Sequence, residues 1–164
     1  MALVYLGLGS NIEREKHILS GIIELAEHFD WECRSRVFES RAVGFAGSNF
    51  YNLVAAVRTE LDVDEVWRRC KQIEYDHGRS EHSPKFSPRT LDIDILLYDD
   101  MIRREHPQLP RAEILENAFV LWPLADIAAQ LKHPTEGVTY KRLWEHYDCT
   151  QELAPIEDER WLPF

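Results

Sequence analysis

Two strand-like stretches, residues 31–38 and 50–59, follow one another with no helix between them. A doubly wound parallel sheet needs a crossover helix after nearly every strand, so this direct run argues against it and asks for antiparallel pairing. The other elements fall around that pair. Residues 3–8 form an apolar strand that Gly7 and Gly9 break, and Ser10-Asn11-Ile12-Glu13 has the form of a helix capping box. Ile18, Ile22, Leu25, Ala26 and Phe29 recur at helical spacing and predict a helix over 12–28. Trp31, Cys33, Ser35 and Val37 alternate with Glu32, Arg34 and Arg36, as in a half-buried strand.

Residues 50–59 are rich in β-branched and aromatic side chains. Asp62 and Glu65 mark a second helix start, Val63, Val66, Trp67, Cys70 and Ile73 form its apolar stripe, and Gly78 ends it. A strand over 91–98 runs into a hairpin through Asp99-Asp100. Past Pro107 and Pro110 the spacing predicts a helical turn over 113–117, an extended piece over 119–121, and helices over 124–129 and 140–146. The order β-α-β-β-α-β predicts an α+β, ferredoxin-like sandwich: a mainly antiparallel sheet with helices packed on it and extra C-terminal elements. Residues 1–149 are expected as one domain, and 150–164 as a tail whose role the sequence leaves open.

Net charge narrows the partners. Lys plus Arg is 19 against 29 Asp plus Glu, a formal charge of −10, so nothing broadly attracts nucleic acid or anionic lipid. An anion must be held by a local basic cluster or by bound cations. No stretch is long and apolar enough to span a bilayer. Cys33, Cys70 and Cys149 lie far apart and form no C-x-x-C, which points to reduced thiols in a cytoplasm.

The sharpest chemical feature is Asp92-Ile93-Asp94. On a strand, residues two apart share a face, so both carboxylates sit side by side while Ile93 points to the core. Like charges that close repel, and one pKa should rise unless a cation shares them. Oxygen donors suit Mg²⁺, which carboxylates and substrate phosphates commonly hold together. Taken alone, such a pair is usually a solvated strand face. Its neighbours change that weighting: Arg79, His82, Lys85 and Arg89 make the preceding loop basic, as a metal–polyphosphate site requires. Gly7-Leu8-Gly9 matches neither phosphate-loop fingerprint. Asn52, with Phe50 on the same strand face, suits a heterocycle edge or a satisfied place in the sheet.

Five segments, Tyr5-Leu6-Gly7-Leu8-Gly9-Ser10-Asn11, Phe50-Tyr51-Asn52-Leu53, Gly78-Arg79, Ser87-Pro88-Arg89-Thr90-Leu91-Asp92-Ile93-Asp94 and Phe119-Val120-Leu121-Trp122-Pro123-Leu124, together resemble the 6-hydroxymethyl-7,8-dihydropterin pyrophosphokinase family. The resemblance covers about residues 2–145 and agrees with the fold read above. It implies transfer of the terminal diphosphate of ATP to the pterin hydroxymethyl group, leaving AMP, with two Mg²⁺ ions on Asp92 and Asp94. It implies catalytic roles for Asp92, Asp94, Arg79 and Arg89. Phe50 and Phe119 would sandwich the pterin, Asn52 would read its pyrimidine edge, and Ser40, Val43 and Gly44 would line it. Lys71, Glu74, Arg79, His82, Lys85, Arg89 and Arg111 would face ATP.

The family's pattern is departed from at Ser87, Phe86, Glu81, Arg111 and Asn117, mostly on the phosphate side. The alternative is a pterin-binding relative with lost or altered use of the phosphate donor. The partners expected are small molecules, ATP and a reduced pterin, with no nucleic acid, no membrane and a monomeric chain.

Overall fold

The computed structural model describes residues 1–41, 49–78, 90–148 and 150–164. Its elements run β1 (Ala2–Ser10), α1 (Arg14–His28), β2 (Asp30–Arg34), β3 (Phe38–Ser40), β4 (Phe50–Thr59), α2 (Val63–Asp76), β5 (Asp92–Tyr98), α3 (Glu113–Glu116), α4 (Ala118–Ile127), α5 (Tyr140–Glu145) and β6 (Leu153–Pro155). The sheet order is β5-β1-β4-β3-β6, with β2 also pairing with β4, and every pairing is antiparallel. β2 and β3 together occupy the place of the second strand in the expected β-α-β-β-α-β pattern. The fold is the α+β arrangement read from the sequence, with helices packed on both sides of the sheet.

Period-two alternation builds two cores from one set of strands. Val4, Leu6, Leu8, Leu53, Ala55, Val57, Ile93 and Ile95 join Ile18, Ile22 and Leu25 of α1 and Val66, Cys70 and Ile73 of α2. Tyr5, Val54, Ala56, Leu96 and Leu97 join Leu121, Leu124 and Tyr140 on the other side. Burial pushes the Cys70 thiol up to about 12, so this cysteine is an inert apolar filler. The Asp62 carboxylate accepts the Glu65 N–H at 2.9 Å, which caps α2 as expected. Gly78, at φ 88, takes the left-handed turn after it.

Three local expectations fail, each for a physical reason. β1 does not break at its glycines but runs on to Ser10, which pairs with Tyr51 of β4. Ser10 is therefore unable to cap α1: its hydroxyl donates to the Thr90 and Ile12 carbonyls, and Glu13 precedes the helix in a left-handed conformation without a side-chain cap. A register shift between Trp31 and Cys33 interrupts the alternation of β2 and leaves Cys33 exposed. Residues 119–121 are helical rather than extended. They belong to α4, which is buried along Ala118, Val120, Leu121, Pro123, Leu124 and Ala125, so no one-sided stripe marks it.

Residues 150–164 add the outermost strand. β6 pairs with β3, Glu159 accepts the Val37 N–H at 2.7 Å and bonds Arg34 at 2.8 Å, and Trp161 stacks on Tyr51. Gln151 accepts the first amide of α4, from Ala118, at 2.7 Å. No helix among the described residues is long and apolar enough to cross a membrane.

Candidate active site

One cross-strand rank organises the site. Asp92 of β5 lies opposite Gly9 of β1, Gly9 opposite Asn52 of β4, and Asn52 opposite Phe38 of β3. Directly paired residues of antiparallel strands share a face, so the acid, the glycine, the amide and the ring stand in a row. In the next rank Asp94 lies opposite Gly7. Both acids thus border a strip of β1 that has no side chains. A Cβ added at Gly9 would come within 3.1 Å of Asn52 Oδ1 and 3.8 Å of Phe50, so the glycine keeps this strip open. Reading Gly7 and Gly9 as turn residues misses this role; the signal available was their period-two spacing inside an apolar strand.

The acids are partly enclosed. Burial and the neighbouring Asp92 push the Asp94 carboxyl well above the usual carboxylate range, against the opposing pull of Arg111 and Lys71. Arg111 Nη2 lies 3.6 Å from Asp94 Oδ2 and also bonds Glu113 at the start of α3. The Arg111 backbone N–H donates to Leu96 O at 3.0 Å, which anchors this segment to the edge of β5. Arg111 thus stands beside the acids.

Lys71 and Glu74 approach from α2. Lys71 Nζ lies 3.1 Å from each carboxylate oxygen of Glu74, and Glu74 Oε2 accepts the Ile93 N–H at 2.7 Å. Glu74 has no exposed surface, so it meets the site from beneath rather than at an open nucleotide face. Glu74, Asp92 and Asp94 bring carboxylate oxygens within 4.8 Å of one another, the one such cluster among the described residues. Hard oxygen donors at this density fit a divalent cation such as Mg²⁺.

On the other end of the rank, the Asn52 amide donates to Ser40 Oγ at 2.7 Å, and both side chains are buried. Phe50 precedes Asn52 on the same face of β4 and is half-buried. Phe119 of α4 packs against the second core, beneath the same face. Trp122 of α4 sets its ring 4.8 Å from Phe38, tying the helix to β3. Arg14 bonds both Glu39 and the Asn49 carbonyl, which pins the two ends of the segment joining β3 to β4. Val43, Gly44, Arg79, His82, Lys85 and Arg89 lie outside the described residues. Asn117, where the family pattern has a basic residue, is taken up by Glu113 and Gln151.

Comparison with known proteins points one way. The chain is 41% identical over 159 residues to the 2-amino-4-hydroxy-6-hydroxymethyldihydropteridine pyrophosphokinase of Aquifex aeolicus, covering 95% of this chain and 96% of that one. It is 31% identical to the Bacillus subtilis enzyme of the same name, covering 94% and 98%. Among solved structures, a Plasmodium falciparum HPPK-DHPS crystal structure superposes with a TM-score of 0.67 at 16% identity, covering 88% of this chain. The chain spans 43% of that longer protein, and the likeness there is one of fold. The profile of the family described as 7,8-dihydro-6-hydroxymethylpterin-pyrophosphokinase matches residues 5–129, the span that holds the acid pair, the glycine strip and the amide. With near-full-length relatives on one side and that profile on the other, the chain belongs to the 7,8-dihydro-6-hydroxymethylpterin-pyrophosphokinase family.

Proposed function

We propose that the chain performs its family's reaction with the β5 acid pair as the centre of the chemistry. It transfers the terminal diphosphate of ATP to the hydroxymethyl group of 6-hydroxymethyl-7,8-dihydropterin, giving AMP and the pterin diphosphate, a step of folate biosynthesis. In this reaction the hydroxymethyl oxygen bonds to the β-phosphorus, the bond from that phosphorus to the α-phosphate oxygen breaks, and the hydroxyl proton leaves. Such transfers ask little covalent work of the protein and much positioning and charge neutralisation.

The observation that carries the assignment of roles is the rank Asp92–Gly9–Asn52. On this reading the acids are the charge-binding end and the amide the ring-reading end of one face, with the glycine strip between them. Asp92 and Asp94 hold Mg²⁺, two ions by family likeness, which would supply charge neutralisation on the phosphate oxygens. Asp94 also accepts the hydroxyl proton. Arg111 and Lys71 add positive charge beside the acids, joined by Arg79, His82, Lys85 and Arg89 of the preceding loop. Asn52 and Ser40 read the pterin edge, helped by Val43 and Gly44, and Phe50 with Phe119 brackets the ring. The free thiols of Cys33 and Cys70 suit a reducing cytoplasm, and the chain acts as a monomer.

The test is AMP formation from ATP, Mg²⁺ and the hydroxymethylpterin. Activity that disappears with EDTA and in Asp92→Asn supports the assignment; AMP at wild-type rate in that variant overturns it. Calorimetry separates the alternative: pterin binding with no Mg·ATP binding would mark a binding protein.

A further inference from the structure

β5 is an edge strand, so part of its backbone has no neighbouring strand to bond. The Ile93 N–H, between the two acids, is such a group, and its acceptor comes from another element: Glu74 Oε2 at 2.7 Å. Putting a carboxylate in a wholly buried place is costly unless it is paired and hydrogen-bonded. Lys71 supplies the pairing at 3.1 Å to both oxygens. A charged pair has therefore been brought next to the Asp92–Ile93 peptide, one of the two that link Asp92 to Asp94.

We propose that Glu74 is a positioning residue: by holding the Ile93 amide it sets the orientation of the acid-bearing peptide, and Lys71 keeps its carboxylate engaged there rather than at a bound cation. The inference rests on the metal-holding role assigned to Asp92 and Asp94. It gives Glu74 a task distinct from contact with the nucleotide, which its burial denies it. Two carboxylates that must share one cation need a fixed separation before the ion arrives. A hydrogen bond to the intervening amide restricts the peptide rotation that would spread them.

The test uses Mn²⁺ as the probe, with free ion read by electron paramagnetic resonance in the absence of ATP and pterin. Wild type, Glu74→Gln and Glu74→Ala are compared after circular dichroism has verified folding. The Gln amide keeps an acceptor oxygen for Ile93, so its affinity stays near wild type. Ala removes the acceptor and weakens Mn²⁺ by about 10–100-fold, the usual cost of losing an outer partner of a ligand. Unchanged affinity in Glu74→Ala overturns the proposal, as does an equal loss in both variants, which would make the carboxylate itself a ligand. Should the Ala variant not fold, hydrogen exchange decides: a slowed Ile93 amide in wild type and Glu74→Gln is expected, and free exchange in either overturns the proposal. Wild type that binds no Mn²⁺ would instead remove the acid-pair assignment on which this rests.

Discussion

On the face of the sheet covered by α1 and α2, the inward positions of β1, β4 and β5 are apolar throughout: Val4, Leu6, Leu8, Leu53, Ala55, Val57, Ile93 and Ile95. On the opposite face the same strands carry Gly7, Gly9, Asn52, Asp92 and Asp94 at one end, and Tyr5, Val54, Ala56 and Leu97 at the other. Ile93 and its two neighbours make the contrast most sharply, since adjacent residues serve a dry core and a charged site. A slip of one residue in β5 would exchange them, so the hydrophobic face enforces the register that the chemistry needs. Stability and the proposed function are separated by a side-chain alternation rather than by distance along the chain.

That separation makes opposite demands on opposite faces. The largest effect is expected from Asp94→Asn, which removes a charge from the site face. AMP formation should fall by roughly a thousandfold, several kcal/mol of transition-state stabilisation, while the melting temperature does not fall. Leu25→Ala is the mirror case. Leu25 is wholly buried between α1 and the sheet, and its truncation should cost about 2–5 kcal/mol, with turnover per folded molecule unchanged. Thermal denaturation beside steady-state kinetics reads both variants, and an Leu25→Ala protein that is stable but slow would break the comparison.

Gly9→Ala sharpens it within the site face. The added Cβ would press on Asn52 Oδ1 at 3.1 Å. Disturbing one hydrogen-bonding group costs about 1 kcal/mol, so the pterin KM should rise about fivefold with the ATP KM little changed. The smallest effect is a pH dependence. Folding raises the Asp94 pKa through burial and then through Asp92. A carboxyl raised by folding stabilises the protein below its unfolded pKa and loses that contribution as pH rises through the folded value. The metal-free protein should therefore lose stability as pH rises from the acid side, and Asp94→Asn should flatten the loss. Mg²⁺ should raise the melting temperature more under alkaline than acidic conditions, because binding displaces the proton. Melting curves across pH, with and without Mg²⁺, measure this.

Strand identity and order were readable because β4 is rich in β-branched and aromatic side chains and α2 carries an apolar stripe between standard end signals: the Asp62 cap and the Gly78 stop stand where the spacing places them. The acid pair was readable for the same reason, since a period of two needs only neighbouring residues. What escaped was set by partners distant in sequence. Ser10 looks like a cap until Tyr51 of β4 pairs with it and Thr90 takes its hydroxyl. Residues 119–121 look extended because α4 is apolar on most sides, and only packing against Phe38 and the second core makes them a helix. β6 is three residues long and has no period; it exists because β3 offers an edge. Family resemblance puts Glu74 at ATP, and nothing local on its amphipathic helix ties it to the amide of Ile93.

The rank across β5, β1 and β4 also works as a ruler. Adjacent strands lie about 4.8 Å apart, so two steps separate the acid strand from the amide strand by roughly 10 Å. Backbone hydrogen bonds hold that interval, and no side-chain replacement lengthens or shortens it. On the proposed assignment, a synthetic molecule that ties a flat heterocycle to a chain of phosphates must match this span.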